Sequence, residues 1–290
     1  MRIFLLINFF LLSVIGFAQE EFEYLGVIRL EDETFISYKI AFSENNGLIS
    51  GFTVTDLGGA HETKSFLSGY FNDRENTLEF YESSILYTKS DVVEEDFCFV
   101  HFTGFLKKLN DKQQIEGSFK GLYSDGKECI SGEIKLSNLG RILKRAKKID
   151  KKVDKSILIS QEKKDKVNLV KDLDSINTNR LSKNETLSIF TKSNQIKIVV
   201  YDAGQEDGDE IALQLNEKYL FETLKATSKK KTIEIPLVKG INELKVTALN
   251  NGSVGGNTVM IIIQDIDATI ETVTNLKKGE TASFMFLKKK

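Results

Sequence analysis

The sequence predicts an all-β protein with one connecting helix: an antiparallel meander barrel or rolled sheet, followed by a β-sandwich. Stretches rich in β-branched and aromatic residues alternate with turn-forming residues through most of the chain. Glycine recurs inside the strands of the first half, whereas apolar and polar residues alternate along those of the second half. One basic segment between the halves has helical periodicity. The chain has 290 residues, which is enough for two ordinary domains.

The N-terminus has the pattern of a secretory signal peptide over residues 1–18. Met1-Arg2 is a short basic start, and a largely apolar run follows from Ile3 to Ile15. The small residues Gly16 and Ala18 suit cleavage near Ala18. The apolar run is shorter than the roughly 20 residues that a membrane-spanning helix needs. We therefore expect an exported protein, located in the periplasm, at the outer-membrane surface or outside the cell, with no transmembrane segment in the mature chain.

Residues 19–137 form the predicted barrel-like domain, which is acidic, with 11 Lys and Arg against 22 Asp and Glu. Five of its strands contain a glycine, at positions 51, 69, 104, 117 and 132. A glycine inside a strand marks a bend or a close backbone approach, as small barrels require. The eight predicted strands are 24–30, 34–42, 47–55, 62–71, 77–81, 96–107, 113–123 and 128–137.

Two cysteines, Cys98 and Cys129, lie in this domain, and the chain has no others. An even count in an exported protein favours a disulfide. In a simple meander, however, the strands of these cysteines flank the strand at 113–123 and lie about 9–10 Å apart, too far for a bridge. The sequence thus leaves two alternatives open, a disulfide or two separate buried thiols.

Residues 138–183 are predicted to form a basic helix and a linker. From Leu139, apolar residues recur at helical spacing, and residues 138–180 contain 13 Lys and Arg against 6 Asp and Glu. The apolar stripe would pack on the acidic barrel or, alternatively, lie on an anionic membrane or polysaccharide surface. Residues 160–183 are polar and without periodicity, which is typical of a linker.

Residues 184–290 are predicted to form the β-sandwich, because each strand there has one apolar and one polar face. Positive and negative residues nearly balance, with 15 against 14 in residues 181–290. The predicted strands are 185–190, 196–200, 211–215, 218–223, 233–237, 244–248, 259–263 and 282–287.

The loop at residues 201–210 is the densest group of polar residues. Asp202, Asp207 and Asp209 would supply carboxylates to calcium, which takes six to eight oxygen ligands. The spacing is not that of an EF-hand, because Asp207 falls where that motif requires glycine. The alternative is a solvated hairpin loop in which Asp-Gly forms the turn. Calcium is the one cofactor that the sequence suggests.

A second polar loop contains Gly58-Gly59 and presents His61, Glu62 and Lys64 as candidate ligand-binding residues. Neighbouring residues on a strand point to opposite faces, so His61 and Glu62 cannot form a general-base pair by themselves. The alternative interpretation is the polar end of a hairpin.

The last part carries a series of short motifs rich in Asp, Asn and Gly: Asp202-x-Gly204-x-x-Asp207-Gly208-Asp209-x-Ile211, Gly240-x-Asn242-x-Leu244, Ala248-x-Asn250-x-Gly252, Asn257-Thr258 and Asp265. This series resembles a β-domain that recurs in uncharacterised secreted proteins of Bacteroidota-type bacteria. The first part, with His61-Glu62-Thr63-Lys64 and Cys129-Ile130-x-Gly132, is similar to the N-terminal half found beside that domain. The resemblance implies a cell-envelope location and a two-domain layout, and it carries no assigned activity.

The sequence lacks a nucleophile elbow, a P-loop, a dinucleotide-binding fingerprint, an HExxH helix and paired CxxC motifs. The leading hypothesis is therefore a non-enzymatic binding or interaction protein whose partner is an envelope polysaccharide or another envelope protein. One alternative is a small-molecule carrier with its ligand inside the N-terminal barrel. A third is a hydrolase that uses His61. Nucleic-acid binding is disfavoured because the basic residues concentrate in one helix.

Overall fold

The predicted all-β class is confirmed, with a closed barrel followed by a sandwich. The structure, a computed structural model, describes residues 21–91, 93–109, 112–156, 158–165, 167–176, 178–204, 206–238, 240–253 and 256–288. The predicted signal peptide, residues 1–18, lies outside the described residues.

Eight strands form the barrel, and each is antiparallel to the next along the chain. Pairing of the first strand with the eighth closes it, so the barrel is the correct choice between a barrel and a rolled sheet. A short 3-10 helix, Glu94–Asp96, precedes the sixth strand. The strands are β1 (Glu21–Leu30), β2 (Phe35–Asn45), β3 (Leu48–Thr55), β4 (Thr63–Asn72), β5 (Thr77–Thr88), β6 (Phe99–Leu109), β7 (Lys112–Leu122) and β8 (Glu128–Asn138).

The barrel interior is packed with large apolar side chains, of which Ile40, Phe102 and Ile134 are completely or almost completely buried. Glycines let the strands approach there. Gly104 pairs with Gly117 across β6 and β7, and a Cβ on Gly117 would lie 2.5 Å from the Gly104 Cα. The same Cβ would lie 2.8 Å from the Phe102 ring. The close approach predicted from the strand glycines is confirmed at this pair, where the aromatic ring occupies the space.

In the described part of the connecting segment, three helices lie between the two β-units: α1 (Leu139–Lys155), α2 (Gln161–Asp165) and α3 (Leu169–Ile176). The Asn138 side chain accepts the Arg141 N–H and caps α1, whose residues Leu139 and Ala146 are buried as α1 packs on β1, β8 and α3. Asp150 accepts the first two N–H groups of α3, which explains why a helix forms in part of the stretch expected to be a linker. No helix in the described ranges is long and apolar enough to cross a membrane.

The sandwich consists of two five-stranded layers whose inner faces share one core. The first layer has, in order, the strands β13 (Lys218–Lys225), β12 (Glu210–Leu215), β15 (Ile241–Ala248), β18 (Thr281–Lys288) and β10 (Thr186–Thr191). The second layer has, in order, the strands β14 (Lys231–Pro236), β11 (Gln195–Tyr201), β16 (Met260–Gln264), β17 (Thr269–Thr274) and β9 (Asn179–Leu181). Ile198 and Ile261 of the second layer pack in the same cluster as Val246 and Phe284 of the first.

One strand, β5, belongs to both units. Its first part, from Thr77 to Tyr81, pairs with β6 and completes the barrel. Near its end, Tyr87 pairs with Ile189 and Thr88 with Ser188 of β10. The first layer of the sandwich is therefore a continuation of the barrel sheet.

Cys98 and Cys129 form a disulfide, with their Cα atoms 6.1 Å apart. The geometric objection drawn from the meander is wrong because neither cysteine occupies a regular ladder position. Cys98 precedes β6, and Cys129 is the extra residue of a bulge in β8. At this bulge, Gly121 pairs with Ile130, whereas the next residue of β7 pairs with Glu128. Gly121 lies between the cysteines, and any Cβ there would overlap the Cys98 sulfur. The bridge crosses β7 at a position that has no side chain.

Candidate functional sites

Three aspartates from the loop between β11 and β12 converge at one end of the sandwich. One carboxylate oxygen each from Asp202, Asp207 and Asp209 lies within 4.8 Å of the other two. Asp202 is 4% exposed and Asp209 is fully buried. Gly208 has a φ of +88°, a conformation that glycine adopts without strain, and it lets the loop turn between the last two aspartates. The three residues that the sequence singled out are thus brought together.

Main-chain N–H groups hold one oxygen of each carboxylate. Asp202 Oδ1 accepts the Gly204 N–H at 2.8 Å, and Asp209 Oδ2 accepts the Thr258 N–H at 2.7 Å. Asp207 Oδ2 accepts the Ser253 N–H at 3.1 Å. In contrast, Asp202 Oδ2 and Asp209 Oδ1 are buried and have no hydrogen-bond donor among the described residues. The orientation of each carboxylate is fixed by the backbone.

Two asparagines join this loop to the segment before β16. Asn250 Nδ2 donates to the Gly208 carbonyl at 2.7 Å, and Asn250 Oδ1 accepts from Asn257 Nδ2 at 3.1 Å. Asn257 Nδ2 also donates to the Glu210 carbonyl at 2.9 Å. Asn257 Oδ1 is left buried with no described donor. Asn257 was not a predicted ligand, although its place in the Asp/Asn/Gly motif series is a signal that points to it.

The surroundings of Asp209 disfavour its charged form. Burial raises the pKa of Asp209 above its ordinary value, the nearby Asp207 and Asp202 raise it further, and the Thr258 N–H opposes this increase. Within the described ranges, no Lys or Arg forms an ion pair with Asp202 or Asp209. An oxygen-lined cluster of this kind is chemically suited to a hard cation.

A second site is a cavity of about 650 Å³ at one end of the barrel. We call this end the barrel mouth: β1, β3, β5 and β7 end there, and β2, β4, β6 and β8 begin there. Its wall includes the apolar side chains of Ile28, Ile36 and Phe119, and polar groups of Ser65 and Glu82. Ile28 and Phe119 also belong to the apolar cluster of the barrel core. The fold therefore leaves space for a small molecule at the mouth.

Glu82 is the buried carboxyl group of this cavity. Its Oε1 accepts the Tyr38 hydroxyl at 2.9 Å and the Thr53 hydroxyl at 2.5 Å. Its Oε2 accepts the Val100 N–H at 2.9 Å. Burial raises the pKa of Glu82, and these three hydrogen bonds oppose the increase. Burial and then the adjacent Glu82 charge raise the pKa of Tyr38 well above its ordinary value. The carboxyl group is held rigidly on the barrel wall.

The structure places the three other candidate residues in different surroundings. His61 lies at the barrel mouth, is exposed, and has its Nδ1 3.1 Å from Ser90 Oγ. Glu62 is buried, where it accepts the Gly58 N–H at 2.7 Å and the Tyr87 hydroxyl at 2.8 Å. Lys64 lies 4.5 Å from the Phe52 ring centroid, and burial lowers the pKa of its ammonium group. Of the three, His61 alone lines the cavity.

The comparisons with known proteins give no further guide to these sites. A scan against protein-family models, a search of curated proteins and a search of solved structures found no match.

Proposed function

We propose that the protein is a non-enzymatic, exported binding protein that carries a small molecule in the mouth of its N-terminal barrel. The observation that supports this proposal is the cavity of about 650 Å³. Small-molecule sites in proteins usually measure about 300–1,000 Å³ and combine apolar walls with a few polar groups. An eight-stranded barrel is wide enough to hold one small ligand.

The chemistry of the wall selects the ligand class. Ile28, Ile36 and Phe119 offer an apolar surface, whereas Asp56 and Glu82 supply carboxyl groups. No Lys or Arg belongs to the described lining of this cavity. An anionic headgroup would therefore meet carboxylates with no compensating cation. The ligand that fits is an apolar molecule, neutral or cationic, with a hydrogen-bond donor that reaches Glu82.

The surroundings of His61 support a non-enzymatic role. A hydrolytic Ser-His pair needs a third group that orients the imidazole. Near the His61–Ser90 pair, the Asp56 carboxylate accepts the main-chain N–H of His61 instead. No carboxylate among the described residues is hydrogen-bonded to the His61 ring. The pair has the geometry of a polar contact at the rim of the cavity.

The test is a titration of the chain without its predicted signal peptide with three fluorescent naphthalene probes of matched size, one neutral, one cationic and one anionic. We expect the neutral and cationic probes to bind with one-to-one stoichiometry and the anionic probe to bind at least tenfold more weakly. Native mass spectrometry of freshly purified protein would identify any co-purified ligand.

Ser65 provides a cavity-blocking variant. Its side chain is buried and lines the cavity, so Ser65→Leu should fill the space and abolish probe binding. Ser68 is on the same strand and half-buried, but it does not line this cavity, so Ser68→Leu is the matched control. If both variants fold and bind the probes as the wild type does, the carrier proposal is wrong.

A further inference from the structure

We infer that Asp202, Asp207, Asp209 and Asn257 form a calcium site that connects the β11–β12 loop to the segment before β16. This inference does not depend on the proposed carrier function, because the site lies in the sandwich and not in the barrel. Two independent observations support it. The first is the convergence of the three carboxylates within 4.8 Å. The second is a set of buried oxygen atoms that lack donors.

The buried oxygen atoms favour the binding of a positive charge at this position. Asp202 Oδ2, Asp209 Oδ1 and Asn257 Oδ1 have no donor among the described residues, and their side chains are at most 4% exposed. Buried acceptors are rarely left unsatisfied, and a buried carboxylate is especially unfavourable without a partner. A cation bound among the three carboxylates would satisfy the aspartate oxygen atoms. Asn257 precedes Thr258, whose N–H binds Asp209, and this places Asn257 in the segment beside such an ion.

The donor set selects calcium among the common cations. The three carboxylates and the Asn257 amide offer oxygen atoms, whereas structural zinc sites use Cys and His. Magnesium requires near-ideal octahedral geometry and retains several waters. Calcium accepts six to eight oxygen atoms in irregular arrangements, including carboxylates, amide carbonyls and water. Three aspartates and one asparagine on two loops match that preference.

The carboxylates are already oriented by the backbone, and Gly252 leaves space beside them. The N–H groups of Gly204, Ser253 and Thr258 each hold one oxygen of a carboxylate, so the carboxylates need not reorient to bind an ion. Gly252 has a φ of +63°, and a Cβ there would overlap Asp209 Oδ1 and lie 2.7 Å from Asp207 Oδ2. A side chain at position 252 would therefore occupy the space beside the carboxylates.

The primary experiment is isothermal titration calorimetry of the chelator-treated full chain with CaCl₂, and with MgCl₂ in parallel. We expect one Ca²⁺ per chain and at least tenfold weaker binding of Mg²⁺. Asp209→Asn should reduce calcium affinity more than tenfold. Asp267 is an exposed acidic residue of the same domain, and Asp267→Asn should leave the affinity unchanged. Absence of Ca²⁺ binding at millimolar concentration, or equal affinities for the two ions, would overturn the inference.

A second pair of variants separates ion binding from folding. Gly252→Ala and Gly279→Ala both place a side chain at a positive φ, +63° and +83°. A Cβ on Gly279 meets no atom within 4 Å, whereas one on Gly252 intrudes on the carboxylates. We expect both variants to show the same far-UV circular dichroism in chelator, and only Gly252→Ala to lose calcium binding. Equal calcium affinity of the two variants would also contradict the site.

Discussion

Removal of the disulfide is expected to destabilise the protein by about 4 kcal/mol. The bond joins residues separated by 31 positions. The chain-entropy relation for a loop of this length gives about 4 kcal/mol at 25 °C, through loss of freedom in the unfolded chain. The native barrel should be little altered in Cys98→Ala/Cys129→Ala, because β6, β7 and β8 remain paired by their own ladders.

The measurement is urea unfolding of the full chain, followed by far-UV circular dichroism because the sequence contains no Trp. With a slope of about 2 kcal/mol/M, the midpoint should fall by about 2 M in the double variant. A reducing agent should lower the wild-type midpoint equally and leave the variant unchanged. A loss below about 1 kcal/mol with an unchanged slope would refute the entropic reasoning.

Gly121 offers a further test of how the disulfide crosses β7. A Cβ at this position would overlap the Cys98 sulfur and would also lie 2.8 Å from the Ile130 carbonyl oxygen. Gly121→Ala should therefore be destabilising in the wild type and less so in the background without cysteines, where the sulfur is absent. An equal loss of unfolding free energy in the two backgrounds would show that the bridge does not require a glycine there.

Three other predictions concern buried groups. Burial raises the pKa of Glu82 above the ordinary 4.5, so the native state binds this proton more tightly than the unfolded state does. The free energy of unfolding should therefore fall as the pH rises from about 4.5 through the native pKa. In Glu82→Gln, free energies of unfolding measured between pH 5 and 8 should decline less. Gly117→Ala should cost about 1–3 kcal/mol in chemical denaturation because its Cβ would lie 2.5 Å from the Gly104 Cα, and a neutral effect would contradict the close packing. Tyr87→Phe removes a donor from the buried Glu62 and should cost about 1–3 kcal/mol in the same assay, whereas an unchanged midpoint would mean that solvent replaces the hydroxyl.

The barrel was predictable because its strands pair with their neighbours in sequence and its glycines recur at strand positions. The strand pairing of the sandwich was less predictable from the sequence. Strand β9 has three residues and forms a parallel pair with β17, almost a hundred positions later, and neither strand was predicted. The β5–β10 continuation depends on two residue pairs and leaves no local pattern. The sequence did not decide between a disulfide and two thiols because the interstrand distance rule assumes regular ladder positions. The bulge at Cys129 interrupts that regular ladder.

In the candidate sites, too, residues close in sequence were predictable, whereas residues brought together from distant positions were not. The spacing of Asp202, Asp207 and Asp209 within one loop was sufficient to group them from sequence. Asn257 was missed because a different loop supplies it, and the adjoining Thr258–Asp209 hydrogen bond joins positions 49 apart. Glu82 was also missed, because an isolated glutamate in a strand gives no sign that it will be buried at a barrel mouth.

The shared strand β5 has a consequence for any attempt to separate the two units. Without the sandwich, the end of β5 would lose its β10 neighbour, and Leu86 and Tyr87 would lose the apolar cluster that covers them. Exposed strand edges with apolar side chains recruit other chains and aggregate. An isolated barrel fragment should therefore self-associate through this edge. In evolutionary terms, the barrel can exchange its C-terminal neighbour only for another domain that covers the same edge.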